Sequence, residues 1–298
     1  MTLSLRETAL KHYLKVFVQR EIADFCKGRW TAVHCINGEG NLVFRRYMGG
    51  EPITIREVDD IPKLLNKLNF QVRSIYATAN KYRLMGQLDE SSPVLSSVSF
   101  CTPTWDLDAS LSNWPETIAA AREIVSFVES LGVEKSVYIK WSGNGCHIHI
   151  HEQAISEETL SKAHPLDFAY AIVEYVNMKL SSKIAEKFAG IHVENRMDAG
   201  RVFTCPLSLH RVLDVVCVCI KPNELDRFSP EWIQPSNFRH NTDWREFIKG
   251  EADELALKAY SMVGGYPAWK RYRKRKNKKL DEQINEWLKK FENSKLVL

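Results

Sequence analysis

The spacing of apolar positions changes several times along this chain, and each change predicts an element. Residues 4–27 repeat at the helical period, which predicts one amphipathic helix with Leu10, Tyr13, Leu14 and Phe17 on a common face. "RWTAVHCI" and "NLVFRRYM" read as strands on either side of the turn "NGEG", a hairpin pattern. "DDIPKLLNKL" starts as helices do, with Asp60 as a cap and Pro62 in the first turn. "RSIYATANKY" is strand-like, and "VLSSVSFCTPTWDLDA" predicts a strand with an acidic tip. "PETIAAAREIVSFVESLG" is a helix bounded by proline and glycine. "KSVYIKWS" and "CHIHIHE" are strands joined by "GNG". A helical stretch over 156–187, broken near Pro165, and three short apolar runs ("AGIHVEN", "GRVFTCP", "LDVVCVCI") follow. The last third is more polar and more helical. Its tail places Leu280, Ile284, Trp287, Leu288 and Phe291 on one helical face, suited to docking on the body or on a partner.

Strands and helices alternate without a βαβ rhythm. That predicts an α+β protein with a mixed central sheet and flanking helices. GxGxxG and GxxxxGK[ST] are both missing, which argues against a dinucleotide fold and a P-loop. No run of about 18 apolar residues occurs. The amino terminus lacks a signal-peptide core, so the expected location is cytoplasmic and nucleoid-associated, or nuclear in a eukaryote. The seven cysteines form no CxxC pair, and reduced buried thiols are expected, with no structural zinc. The net charge of +4 is uneven. "KRYRKRKNKK", residues 270–279, carries eight basic residues, and removing them leaves −4 on the rest. That segment reads as a solvated charged stretch or as a nucleic-acid contact through Lys270, Arg271, Arg273, Lys274 and Arg275, with Trp269 and Tyr272 for stacking.

Three stretches carry chemistry. In "WDLDA" strand alternation points Asp106 and Asp108 to one face. Two adjacent carboxylates repel unless a cation lies between them, and hard ions such as Mg²⁺ and Mn²⁺ take oxygen ligands. A solvated strand end is the plainer reading of the same residues. In "SGNGCHIHIH", His147, His149 and His151 share a face. They fit a transition-metal site, an anion site in which the turn's N–H groups and Ser142 meet a phosphate beside His147, or a polar strand face. The third stretch, "VENRMDAGRVFTCPLSLHR", brings acids together with phosphate-compatible donors at Arg201, Ser208, His210 and Arg211. There Glu194 lies in a strand-like run and offers a third carboxylate to Asp106 and Asp108. Three acids beside such donors suit a metal-bound triphosphate better than a zinc hydrolase.

In this order the stretches resemble the motifs of the archaeo-eukaryotic primase superfamily, above all those of the small catalytic primase subunit. "WDLDA" resembles the hydrophobic-DxD motif, "SGNGCHIHI" the serine-glycine turn ending in a strand histidine, and "RVFTCPLSLHR" the region where arginine precedes Pro-x-Ser-Leu-His. "REIADF" and "SIYATANKY" add weaker likenesses, so the resemblance covers about residues 10–222.

The resemblance implies a primase-polymerase catalytic domain over 1–225 and a helical, basic region over 226–298. It implies template-directed transfer of nucleotides from NTPs or dNTPs with two Mg²⁺ or Mn²⁺ ions. Asp106, Asp108 and Glu194 would hold metal, with Asp198 as rival for the third place. Ser142, Gly143, Asn144, Gly145 and His147 would hold the triphosphate from one side, and Arg201, Ser208, His210 and Arg211 from the other. Single-stranded template, a primer strand and a large primase subunit or repair partner are the implied partners, without a membrane. Three departures stand out. Ungapped counting puts His192 where the family has its third acid. The lysine after Ser-Leu-His is missing, with Arg211 or Lys221 as substitutes. The Cys/His zinc module is not recognisable. A metal-dependent hydrolase using the histidine strand, or a catalytically silent nucleic-acid-binding subunit, are the alternatives.

Overall fold

The structure, a computed structural model, describes residues 3–69, 71–83, 97–188 and 190–267. The chain divides into two compact units, Met1–Gly264 and Gly265–Leu298, and the candidate chemistry lies in the first. The basic segment 270–279, Trp269 and the apolar tail face fall outside the described residues.

Helices α1 (Leu3–Tyr13) and α2 (Val16–Cys26) lead into the hairpin β1 (Thr31–Ile36) and β2 (Leu42–Arg45). The short pair β3 (Tyr47–Met48) and β4 (Glu51–Pro52) precedes α3 (Asp60–Lys67), β5 (Val72–Thr78) and β6 (Asn80–Tyr82). Next come β7 (Val98–Cys101), β8 (Thr104–Asp108), α4 (Trp114–Ser130), β9 (Val137–Trp141) and β10 (Gly145–Ile150). The unit ends with α5 (Glu157–Leu160), α6 (Pro165–Lys187), β11 (His192–Glu194), β12 (Val202–Thr204), β13 (Val218–Ile220) and α7 (Asp253–Val263).

The α+β class is the one the sequence predicts. Two sheets dominate, ordered β12-β5-β1-β2 and β11-β8-β10-β9-β13. Every pairing among the described residues is antiparallel, and the edge strands β11, β12 and β13 all come from the late part of the chain. The five-stranded sheet is apolar on one face through Trp105, Leu107, Ile139, Trp141, Cys146 and Ile148, all fully buried. Helices α4 and α6 pack on one another and reach β10 and β8 respectively. The other face carries Asp106, His147, His149 and Lys140. It meets the second sheet at Phe203, whose ring lies 5.0 Å from that of His147 and 5.6 Å from that of His149.

One expectation changes at this level. The single helix over 4–27 breaks at Lys15, whose backbone is extended. The break turns Tyr13, Val18 and Ile22 inward and leaves Leu14 and Phe17 about half exposed, so the expected common face does not exist. Residues 226–264 belong to the first unit. Trp244 Nε1 donates to the Glu21 carboxylate at 2.8 Å, and Glu251 accepts the backbone N–H groups of Glu134, Lys135 and Ser136. All seven cysteines are free and buried.

Candidate functional site

Strand register builds the site. Glu194 on β11 stands opposite Asp106 on β8, Asp106 opposite His147 on β10, and His147 opposite Lys140 on β9. One row across four strands thus runs carboxylate, carboxylate, imidazole, amine. Asp108 lies two residues along the strand from Asp106, between His192 and Gly145. A Cβ on Gly145 would stand 2.1 Å from the Leu107 carbonyl oxygen, so only glycine lets β10 close on β8 at this point.

Asp106 is nearly buried, and its two oxygens are fully engaged. Oδ1 lies 3.2 Å from His147 Nε2, while Oδ2 accepts from Arg201 at 2.5 Å and from Arg196 at 3.4 Å. Burial alone would raise this carboxyl. The His147, Arg201 and Arg196 contacts outweigh burial and hold it well below the usual carboxylate range. Asp108 and Glu194 are exposed at the strand ends, yet both reach the same cation. Arg196 donates to Asp108 at 2.6 Å and to Glu194 at 3.1 Å. Its neighbour Asn195 fixes the turn by donating to the Tyr170 carbonyl and the Glu174 carboxylate on α6, both at 3.0 Å.

Arg196 is thus the centre of the carboxylate cluster, and the sequence reading did not name it. A charged residue just past a strand carrying a candidate ligand was the available signal. The three carboxylates surround one positive charge, as the sequence argument for a cation required, but the charge is a guanidinium. No three His, Cys, Asp or Glu side chains among the described residues converge closely enough to hold a metal ion. Asp198 stands apart from this arrangement. Its carboxylate accepts the Gly200 N–H at 2.7 Å in a local turn, and the register puts Glu194, not Asp198, beside Asp106.

Lys140 was also missed, since it looked like the polar member of an ordinary strand. It is fully buried, and its Nζ donates to the Thr204 carbonyl at 2.8 Å and lies 4.1 Å from the Phe25 ring centroid. Burial lowers its pKa. It ties the two sheets together behind the histidines.

The second and third motifs meet. The turn after β9 is closed by the Ser142 N–H to the Gly145 carbonyl at 2.9 Å, with Trp141 Nε1 donating to the Gly143 carbonyl at 3.0 Å. Gly143 has φ +128°, and a Cβ there would come within 2.7 Å of the His210 ring. Asn144 is exposed at the tip. Among the described residues the N–H groups of Gly143 and Asn144 meet no protein acceptor. His210 Nδ1 accepts the N–H of Leu213 at 2.9 Å, which puts the ring proton on Nε2. Burial, with the positive Arg211 and Arg73 nearby, lowers its pKa to about 4, so the ring is a neutral donor at pH 7.

Several expected donors are occupied elsewhere. The Ser142 hydroxyl donates to the Gly145 carbonyl at 3.3 Å within its own turn. Ser208 is fully buried. Its Oγ accepts the Ile75 N–H at 2.7 Å and lies 3.2 Å from the Tyr13 hydroxyl, so it braces the core and does not face the turn. Lys221 pairs with Asp243 at 2.7 Å and Glu246 at 3.0 Å, which removes it as the missing cation; Arg211 stays exposed beside His210. The three histidines do not act together. His149 bonds Thr104 at 2.8 Å and stacks on Tyr138, and His151 accepts from Gln153 and stacks on Phe247. The histidine-strand metal site is therefore not formed.

No family model matches the chain, and no curated protein matches it in sequence. Solved structures do. The chain shares the fold of a polymerase domain. One match is to the polymerase domain from Mycobacterium tuberculosis Ligase D in complex with DNA, with a TM-score of 0.53 and 11% identity. It covers 88% of this chain and 91% of that one, so the likeness extends well beyond the two sheets. No helix among the described residues is long and apolar enough to cross a membrane.

Proposed function

We propose that this protein is a template-directed nucleotidyltransferase of the primase-polymerase type. The observation that carries the proposal is the row Glu194–Asp106–His147, with Asp108 beside it and one cation at its centre, on the fold of a polymerase domain. Three hard-oxygen donors around a positive centre suit Mg²⁺ or Mn²⁺ in place of the guanidinium. Asp106, Asp108 and Glu194 are the residues that would hold two such ions. When bound, the ions lower the pKa of an attacking hydroxyl and neutralise a triphosphate.

The chain's own groups do the rest. Arg196 leaves the carboxylates and becomes free to meet phosphate charge. Arg201, in contact with Asp106 and stacked over Phe203, keeps that carboxylate aimed. The free N–H groups of Gly143 and Asn144 belong to the turn against which the His210 ring sits, and with its Nε2–H they would be donors for phosphate oxygens. Arg211 supplies a nearby positive charge. His147 orients Asp106 through Oδ1. Template and primer would contact the exposed surface around this turn, and the basic stretch from Lys270 to Arg275 would add backbone contacts.

Extension of a labelled primer on single-stranded template, with NTPs or dNTPs and Mg²⁺ or Mn²⁺, tests the proposal, with unprimed template run in parallel. The expected result is metal-dependent incorporation that an Asp106→Asn/Asp108→Asn double variant lowers by at least about a hundredfold. DNA binding without incorporation in any condition would return the chain to the silent-subunit reading.

A further inference from the structure

The loop Cys205–His210 is held from the far end of the sequence. Leu207 has φ +58°, a left-handed backbone that a branched side chain rarely adopts. Its N–H donates to the Cys217 carbonyl at 2.7 Å, and its carbonyl accepts from His12 Nε2 at 2.8 Å. Two residues on, the Leu209 N–H donates to the Tyr13 hydroxyl at 3.0 Å, and that hydroxyl in turn donates to the Arg73 carbonyl at 2.9 Å. His12 and Tyr13 are both fully buried. The loop then delivers His210, whose ring sits against Gly143.

Without these two side chains the Leu207 carbonyl and the Leu209 N–H would lose these partners in the core, each at the desolvation cost of an unpaired buried group. Two adjacent residues of α1 thus aim polar atoms at the backbone of one strained turn, and His12 Nδ1 is left buried without a partner. Strain of this kind persists only where surrounding groups over-determine it. We propose that His12 and Tyr13 are positioning residues that lock the Cys205–His210 loop and so set where the His210 Nε2 proton stands over the Gly143 turn. The consequence for catalysis rests on the nucleotide reading of that turn; the positional consequence does not.

The test combines spectroscopy with binding on the intact chain. In protein carrying ¹⁵N-histidine, the His210 signal, identified by its loss in His210→Gln, reports a single Nε2–H tautomer. Tyr13→Phe, which removes only a hydroxyl, and His12→Leu are expected to mix or broaden that signal. Both are expected to weaken binding of a non-hydrolysable deoxynucleoside triphosphate with Mg²⁺ about tenfold, raising KM with kcat changed less than about twofold. His12→Gln, which keeps a donor near Nε2, restores both. Val18→Ala is the control for general loosening of the core. An unchanged His210 signal in folded Tyr13→Phe overturns the proposal, as does an equal change in the Val18→Ala control. If the parent binds no triphosphate while the His210 signal responds as described, the lock stands and the nucleotide reading falls.

Discussion

Two arginines touch Asp106, and they are held very differently. Arg201, itself 25% exposed, makes one short contact to a carboxylate whose side chain is 8% exposed, and its guanidinium carbon lies 5.4 Å from the Phe203 ring centroid. Arg196 makes three contacts, but two go to Asp108 and Glu194, which are 58% and 63% exposed. Contact number therefore misleads. Ion pairs open to water contribute about 0–1 kcal/mol each. Breaking a buried pair costs about 3–5 kcal/mol, because the remaining charge loses its partner. The inner arginine is therefore expected to matter to the fold, and the outer one to be the easier counter-ion to replace. That difference is what would let a cation enter without unfolding the site.

The largest effect expected from this contrast is on stability. Arg201→Gln should destabilise the fold by about 1.5–3 kcal/mol in chemical denaturation, since Asp106 stays buried and keeps only His147 and the longer Arg196 contact. A loss under about 1 kcal/mol would make the two arginines equivalent.

A titration examines the buried side in another way. Burial depresses the pKa of both His12 and His210 to about 4, below the value of about 6.5 for an unfolded histidine. The unfolded chain then binds more protons between those values, so stability rises with pH there. It should be complete above about pH 6.5 and fall as pH drops toward 4, by up to about 1.4 kcal/mol per pH unit for each histidine. Denaturation midpoints across pH 4–7 measure this, and His12→Gln should flatten the slope.

A steric change comes next. Gly145→Ala pushes a Cβ into the Leu107 carbonyl and should cost about 1–3 kcal/mol in thermal stability, with β8 and β10 forced apart. Gly40→Ala is the fair comparison, because nothing lies within 4 Å of a Cβ there and only the φ of +85° is strained. The smallest effect belongs to the outer arginine. Arg196→Gln should leave stability within about 1 kcal/mol of the parent.

The parts of the site that were legible in the sequence are those set by strand alternation. Asp106 and Asp108 share a face because side chains repeat every two residues, and Glu194 follows from an acid ending an apolar run. The α+β class followed from the changing period of apolar positions. What was not legible depends on contacts between distant segments. Nothing local says that Arg196 folds back over three carboxylates, that Lys140 is buried under Phe25, or that Ser208 faces Tyr13. The break at Lys15 was hidden for a related reason. The apolar spacing of residues 4–27 continues through it, and only packing against the body decides that Leu14 and Phe17 face outward.

The central claim is that the carboxylate cluster is a divalent-cation site held in waiting by Arg196. Titrating Mn²⁺ into the intact chain, with free ion followed by electron paramagnetic resonance, tests it most directly. The account predicts saturable binding, tightened about tenfold by Arg196→Gln and lost in Asp106→Asn; equal Mn²⁺ binding by the parent, Arg196→Gln and Asp106→Asn would contradict it.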